Sequence, residues 1–220
     1  MYHRVDVEGK SKVAPLAGQL EAMAVDYHSQ VEVAAKYLLG RGITEATATR
    51  FQLGFVGRPD AQNRKYVGRL AIPYLTVSGV SDIRFRCISD HDCKAVSCPK
   101  YMSRVGATSK MFNTKALVGE VDTLLICEGE FDAMMAWQVT GLPAVGVPGV
   151  STWASAKHWP RMVKGFDRVV VLCDGDDVGR GLGKQVVGDV SHAEVVSMPE
   201  GQDVSDVGFT DPDMLRAMLV

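Results

Sequence analysis

Short apolar runs alternate with helix-patterned segments through the C-terminal half of this chain, and this alternation constrains the fold more than any other feature. Four runs predict buried strands: TLLICEG (123–129), LPAVGVPG (142–149), RVVVLCD (168–174) and AEVVSMP (193–199). The segments between and after them predict helices: EFDAMMAWQVT, TWASAKHWPRMV, DVGRGLGKQVVGDV and finally DPDMLRAMLV, capped by Asp211. Strands that alternate with helices favour parallel pairing and right-handed crossovers. We therefore predict an α/β fold with a doubly wound parallel sheet over residues 119–220.

The N-terminal half has a different pattern. The segment SQVEVAAKYLLGRGI (29–43) predicts an amphipathic helix, and TEATATRFQLGF (44–55) predicts a second helix with Thr44 as its N-cap. Two strand-like runs then flank the turn VSGVS, which is typical of a hairpin. We predict a smaller α+β subdomain over residues 31–118, preceded by an N-terminal extension over residues 1–30.

Charge is distributed unevenly along the chain, although the net charge is only −2. Residues 31–115 carry 14 Lys and Arg against 6 Asp and Glu, whereas residues 116–220 carry 7 against 16. Mixed charge serves solubility equally well, so this separation needs another reason. It fits a polyanion bound to the basic half and cations bound to the acidic half.

The sequence favours a cytoplasmic protein. It contains no apolar run of the roughly 18 residues needed to span a bilayer, and MYHRVDVEGKSK at its start lacks the apolar stretch of a secretory signal. Its five cysteines are an odd number, and two of them close apolar strand-like runs. That usage suits a reducing compartment better than a disulfide framework.

Acidic residues follow three of the predicted strands directly. These are Glu128, Glu130 and Asp132; Asp174, Asp176 and Asp177; and Asp203 with Asp206. Ligands of an open parallel sheet bind beyond the carboxyl ends of its strands, so neighbouring strands would bring these carboxylates together. Any one cluster can equally cap a helix in solvent, but three clusters with glycine turns at Gly129 and Gly175 favour convergence. Carboxylate oxygens in this number indicate Mg²⁺ or Mn²⁺.

These acidic motifs carry a family resemblance. EGEFD (128–132), followed by DGDDVG (174–179), resembles the TOPRIM domain of bacterial-type primases, type IA and type II topoisomerases and some nucleases. The resemblance implies catalytic and metal-binding roles for Glu128, Asp174 and Asp176, with Asp132 and Asp203 as further metal ligands. It leaves open a second role for Glu128, that of general base.

The resemblance extends upstream, which distinguishes primases from other TOPRIM proteins. AAKYLLGRGITEATATRFQLGF and CPKYMSRVGATSKMFNTKAL are similar to primase segments with helices, basic strands and a PKY motif. The implied protein is the catalytic core of a phage-type DNA primase, which synthesises short RNA primers on single-stranded DNA by two-metal nucleotidyl transfer. Basic residues expected to contact the template or the triphosphates are Arg69, Arg84, Arg86, Lys100, Lys110 and Lys115.

The implied partners are single-stranded DNA, NTPs, a replicative helicase and a zinc-binding module on a separate polypeptide, with no membrane. Two alternatives use the same residues: a metal-dependent TOPRIM nuclease, and a non-catalytic DNA-binding accessory of replication. Cys87, His91, Cys93 and Cys98 also offer metal ligands. Their spacing, C-x₃-H-x-C-x₄-C, is irregular and lacks a paired C-x₂-C, so zinc is not expected.

Overall fold

The computed structural model describes residues 13–59 and 61–219, which contain two four-stranded sheets. The first sheet is antiparallel and consists of β1 (Gly54–Phe55), β2 (Arg69–Thr76), β3 (Gly79–Cys87) and β4 (Tyr101–Ser103) in chain order. Strands β2 and β3 pair from Arg69 opposite Cys87 to Thr76 opposite Gly79. The hairpin predicted at VSGVS is therefore confirmed.

Short helices accompany the antiparallel sheet: α1 (Val13–His28), α2 (Ala35–Gly40) and α3 (Glu45–Arg50), with 3₁₀ turns at Val31–Ala34, Arg64–Tyr66 and Thr114–Leu117. The single helix predicted from residue 29 is thus a 3₁₀ turn that continues into α2. Thr44 caps α3 as predicted, because its hydroxyl oxygen accepts a hydrogen bond from the backbone N–H of Thr47.

The second sheet consists of β5 (Thr123–Cys127), β6 (Ala144–Gly146), β7 (Arg168–Cys173) and β8 (Ala193–Ser197). All of its pairings are parallel, and the strand order is β6-β5-β7-β8. The predicted α/β class, with a parallel C-terminal sheet and a smaller α+β part before it, is confirmed.

The helices of the C-terminal half are α4 (Glu130–Thr140), α5 (Val150–Ser155), α6 (Trp159–Val163), α7 (Asp177–Asp189), α8 (Val204–Thr210) and α9 (Pro212–Ala217). The helix predicted over residues 152–163 is broken into α5 and α6, because the ring of Pro160 would collide with the carbonyl of Ala156 in a continuous helix. None of the helices in the described residues combines the length and apolarity of a bilayer-spanning segment.

Buried side chains pack on both faces of the parallel sheet. Leu124 and Ile126 of β5 lie in one cluster with residues of α5 and α7, while Leu125 and Cys127 lie in another cluster with residues of α4. This alternation along β5 is the period of two that a strand covered on both faces requires.

The cluster around α4 also includes side chains of the antiparallel sheet. Leu70 and Ile72 of β2 belong to it, and Phe51 stacks on Phe112 while meeting Trp137 of α4 edge to face. Helix α1 packs on the other side of that sheet, where Tyr27 contacts Phe85. The domain boundaries proposed at residues 30 and 118 stay predictions. The cluster around α4 contains residues from both sides of the boundary at residue 118.

Candidate functional site

The predicted acidic residues lie at the carboxyl end of the parallel sheet, around strands β5 and β7. The chain leaves β5 toward β6 on one side and later returns to β7 on the other side. This reversal of strand order opens a crevice between the two central strands, where ligands of doubly wound folds bind. Glu128 directly follows β5 and Asp174 directly follows β7.

Glu128 and Asp174 are in direct contact. The backbone N–H of Asp174 donates a hydrogen bond of 3.1 Å to Oε1 of Glu128, and both residues are half-buried. The start of helix α7 closes over this contact, since a Cβ at Gly179 would lie 2.4 Å from Oε1 of Glu128. Only a glycine at position 179 lets the helix approach so closely.

Asp176 caps helix α7 at the same edge. Its Oδ1 accepts a 2.8 Å hydrogen bond from the backbone N–H of Gly179, and the residue is exposed. Asp177 points away from the crevice, with its side chain 96% exposed and paired to Arg180 at 2.6 Å. The two adjacent carboxylates therefore have different surroundings, and Asp176 is the one that borders Glu128.

The turn after β7 packs against the turn after β8, and this contact positions Asp203. The backbone N–H of Gly175 donates to the carbonyl of Gln202, and a Cβ at Gly175 would lie 1.9 Å from the carbonyl oxygen of Pro199. The glycine is needed here for space, rather than for the tight turn that the sequence suggested. Asp203 follows as the N-cap of α8, in a reciprocal capping box with Asp206.

Asp132 is the most deeply buried of the five predicted metal ligands. It lies in the first turn of α4, is 9% exposed, and accepts hydrogen bonds at Oδ1 from the backbone N–H (3.1 Å) and the hydroxyl (2.7 Å) of Ser205. Ser205 thus links α4 to α8 and fixes the orientation of this carboxylate. Sequence reasoning did not assign Ser205 a role, because its partner is distant in the chain.

Burial and neighbouring charges raise the pKa of three of these carboxylates, Asp174, Glu128 and Asp132. Burial, followed by the charges of Asp132, Glu128 and Asp203, raises the pKa of Asp174 to about 8. Burial also raises the pKa of Glu128 and that of Asp132, and nearby acids add to both shifts. A set of acids with raised pKa values is under electrostatic strain that a bound cation relieves.

One buried oxygen of this set lacks a partner. Oδ1 of Asp174 is buried, and it has no hydrogen bond from the part of the chain that the structure describes. An ionised oxygen in this condition is costly unless a cation or a proton satisfies it. All the donors are carboxylate oxygens, so the site fits a hard divalent cation such as Mg²⁺ or Mn²⁺.

Arg41 borders the acidic set and was not predicted. Its guanidinium lies 4.0 Å from Oδ2 of Asp203, and its charge opposes the rise in the pKa of Asp132. It also packs over the ring of Phe131, 5.5 Å from the centroid. The RG pair after α2 was visible in the sequence, but only the fold brings it to the carboxyl end of the parallel sheet.

Glu130, the remaining acid of EGEFD, belongs to a different network. It is 4% exposed and accepts hydrogen bonds at Oε1 from the guanidinium of Arg84 (2.6 Å) and the hydroxyl of Tyr74 (2.7 Å). Burial, then the charge of Glu130, raises the pKa of Tyr74. Glu130 thus ties the antiparallel sheet to the first turn of α4.

Four of the six basic residues predicted to contact nucleic acid or triphosphate form hydrogen bonds within the protein instead. Arg84 bonds Glu130, Arg86 bonds the hydroxyl of Tyr101, Lys110 bonds the carbonyl of Ser81, and Arg69 bonds the carbonyl of Pro99. Arg84 and Arg86 both also lie over the ring of Tyr101. By contrast, Lys100 and Lys115 are exposed.

The structure brings Cys87, His91, Cys93 and Cys98 together, with all their ligand atoms within 4.8 Å of one another. Within the described residues, no three carboxylates reach this mutual spacing. The reason for not expecting zinc was irregular spacing along the chain, and that reason does not hold in three dimensions.

The chain is similar to known proteins in sequence and in structure. Residues 125–207 match the Toprim-like family model. The Gene 57 protein of Mycobacterium phage D29 is 37% identical over 147 residues, which cover 64% of this chain and 91% of that protein.

Three solved structures show the fold. The primase of Aquifex aeolicus, with its zinc-binding and RNA polymerase domains, has a TM-score of 0.74 at 21% identity, covering 98% of this chain and 63% of that one. The DnaG primase catalytic domain bound to single-stranded DNA has a TM-score of 0.71 at 18% identity, and the match covers 91% of this chain and 77% of that one. The primase fragment of the bacteriophage T7 primase-helicase has a TM-score of 0.61 at 16% identity, and the match covers 82% of this chain and 73% of that one.

These matches agree with the site geometry. The Toprim-like match spans the strands that carry Glu128, Asp174 and Asp203, while the structural matches include the antiparallel sheet as well. The chain therefore belongs to the family of the phage D29 Gene 57 protein, and it is a Toprim-domain protein with the fold of a primase catalytic core.

Proposed function

We propose that this chain is the catalytic core of a DNA-dependent RNA primase that makes short RNA primers on single-stranded DNA during phage replication. The observation that carries the proposal is the buried Oδ1 of Asp174 beside Glu128, which has no hydrogen-bond partner among the described residues, at the strand-order reversal of a primase-like fold. In the proposed reaction a 3′-hydroxyl attacks the α-phosphorus of an NTP. The bond to the β-phosphate breaks, pyrophosphate leaves, and the hydroxyl proton passes to water or to Glu128.

Glu128, Asp174 and Asp176 are the residues that would hold the divalent cations. Mg²⁺ or Mn²⁺ bound there would stabilise the attacking and leaving oxygens of an in-line displacement. Asp132 and Asp203 would support these ligands, with Ser205 fixing the orientation of the Asp132 carboxylate. Arg41, next to Asp203, is placed to neutralise part of the charge of the triphosphate.

The basic half would hold the template. Lys100 and Lys115 are exposed and can neutralise phosphates directly. Arg84 is paired with Glu130 and Arg86 is 8% exposed, and both lie over the ring of Tyr101, so they would support the binding surface rather than contact phosphates directly. Single-stranded DNA as ligand is supported by the DNA-bound primase domain of similar fold.

The protein partners we propose are a replicative helicase and a zinc-binding module on another polypeptide. The T7 relative of this fold is part of a primase-helicase, and the Aquifex relative contains a zinc-binding domain beside its polymerase domain.

A primer-synthesis assay tests the proposal. Purified full-length protein is incubated with single-stranded DNA, labelled NTPs and Mg²⁺ or Mn²⁺, with and without a helicase and a zinc-module protein from the same phage. We expect short oligoribonucleotides that depend on the template. Asp174→Asn and Asp176→Asn should abolish them, while Asp177→Asn, at the exposed neighbouring position, should leave synthesis intact.

The other outcomes decide between the alternatives. Cutting of the template, lost in the same two variants, would replace the primase with a nuclease. Binding of DNA without synthesis or cleavage, even with both partner proteins, would identify a non-catalytic accessory.

A further inference from the structure

We propose that Cys87, His91, Cys93 and Cys98 bind one structural Zn²⁺ ion in the loop between strands β3 and β4. The four ligand atoms lie within 4.8 Å of one another, although no pair of these residues follows the usual knuckle spacing. Three sulfurs and one imidazole nitrogen are a donor set that Zn²⁺ prefers over the hard cations of the acidic site.

Two of the distances between ligand atoms match the edges of a zinc tetrahedron. With Zn–S bonds of about 2.3 Å and a Zn–N bond of about 2.0 Å, tetrahedral angles separate two sulfurs by about 3.8 Å and sulfur from nitrogen by about 3.5 Å. Sγ of Cys87 lies 3.7 Å from Sγ of Cys98 and 3.5 Å from Nε2 of His91. A sulfur separation of 3.7 Å is too long for a disulfide, and the cysteines are free thiols.

The loop itself has little else to hold it in place. Residues 88–100 contain no buried side chain, and in the described structure they form turns and bends without a helix or strand. At the base of the loop, the backbone N–H of Cys87 donates a hydrogen bond to the carbonyl of Lys100. Nearer its tip, the backbone N–H of Cys98 donates a hydrogen bond to the carbonyl of Cys93. A segment without an apolar core commonly depends on a metal or a disulfide for a fixed conformation.

Arg69 supplies the charge that such a centre requires. Three thiolates and one Zn²⁺ carry a net charge of −1, since the histidine is neutral. The guanidinium of Arg69 is 8% exposed and donates to Sγ of Cys98 at 3.2 Å and to the carbonyl of Pro99 at 2.7 Å. A buried cation that donates to a ligand sulfur is the outer-sphere partner typical of metal–thiolate sites.

The consequence for the protein is a fixed loop on the basic half. The metal would hold Lys100, one of its exposed lysines, in a defined position next to β4. This centre uses none of the acidic residues, so its presence or absence is measured independently of primer synthesis.

Metal analysis of the full-length protein tests the proposal. The chain is produced in zinc-supplemented medium, purified under reducing conditions without chelator, and its zinc is measured by mass spectrometry. We expect about one zinc per chain, reduced at least tenfold in His91→Ala and in Cys93→Ser. His192→Ala, at another exposed histidine, is the matched control and should retain full zinc content.

Cobalt gives a second readout that does not depend on the variants. Co²⁺ added to the apoprotein should produce the visible absorption of a tetrahedral thiolate complex, and Zn²⁺ should displace it. The proposal is overturned if the wild-type chain contains no zinc and gives no such spectrum, if both ligand variants keep their zinc, or if the cysteines are found as a disulfide.

Discussion

Glu128 and Asp174, 46 positions apart in the sequence, are joined by a hydrogen bond from the backbone N–H of Asp174 to the carboxylate of Glu128. The bond connects the ends of the two central strands of the parallel sheet, at the place where the strand order reverses. It satisfies one oxygen of Glu128 and holds that carboxylate beside the turn that carries Asp174 before any cation binds. The carboxylate of Glu128 is therefore preorganised by the backbone just after β7.

The raised pKa of Asp174 predicts an unusual dependence of stability on pH in the absence of divalent cations. In the folded protein Asp174 keeps its proton up to a pKa of about 8, compared with 3.8 for the ordinary carboxyl group. Between these values the folded state binds more protons than the unfolded state, so the free energy of unfolding falls as the pH rises. We expect the melting temperature of the wild type in EDTA to decrease from about pH 5 to about pH 8, and Asp174→Asn to reduce that decrease.

Added Mg²⁺ should raise the melting temperature more at the upper end of this range, where Asp174 is ionised. Identical pH profiles for the wild type and Asp174→Asn would mean that burial and the neighbouring acids do not raise the pKa of this carboxyl.

Gly179→Ala should damage the acidic site. Its Cβ would lie 2.4 Å from Oε1 of Glu128 and 2.5 Å from the carbonyl oxygen of Asp174, so the first turn of α7 must move. We expect a loss of about 1–3 kcal/mol in the free energy of unfolding, measured by urea titration, together with loss of catalytic activity. In the control, Gly181→Ala, the nearest atom is 3.9 Å away, and the helix should gain up to about 1 kcal/mol. Equal effects of the two changes would contradict the close packing of α7 on Glu128.

Glu130→Ala should destabilise the protein far more than removal of an exposed acid. The change leaves the guanidinium of Arg84 and the hydroxyl of Tyr74 without their carboxylate partner in a site where Glu130 is 4% exposed. We expect a loss of about 3 kcal/mol in the free energy of unfolding, by analogy with other broken buried pairs. Asp213→Ala breaks a pair whose acid is 90% exposed, and it should cost less than about 1 kcal/mol.

Lys100→Ala and Lys115→Ala should weaken binding of single-stranded DNA through lost phosphate contacts. Each change should make the slope of log affinity against log salt concentration shallower by about 0.7, which fluorescence anisotropy at several salt concentrations can measure. Lys157→Ala, at an exposed lysine of the acidic half, is the control and should leave the slope unchanged. An unchanged slope in both test variants would place the DNA on another surface.

Local signals in the sequence were enough for most of the architecture. The apolar runs of β5 and β7 and the N-caps Thr44 and Asp211 depend on neighbouring residues only, and the structure has each of them. The acids after the strands were also identified as a set, because parallel strands end at a common edge. The break before Pro160 also follows from a local rule, which the prediction of one continuous helix overlooked. The short helix α8 was not predicted, although its capping residues Asp203 and Asp206 lie close together in the sequence.

Partners that are distant in the chain could not be predicted. Arg69, Arg84 and Lys110 were expected to face phosphates, but their partners are Cys98, Glu130 and Asp82, which the sequence does not place beside them. The hydrogen bond from Ser205 to Asp132 was likewise not predicted, because the two residues are distant in the chain. In the Cys–His cluster, turns rather than regular spacing bring the ligands together.

The edge-to-face packing of Phe51 against Trp137 has a mechanical consequence. Phe51 belongs to the basic half, whereas Trp137 lies on α4, the helix that begins beside Glu128. Because one apolar core includes side chains of both halves, a movement of one half relative to the other would have to separate those packed side chains. The distance between the basic half and the carboxylates is therefore set by packing, and a strand bound to both would have to adapt its own shape to the protein.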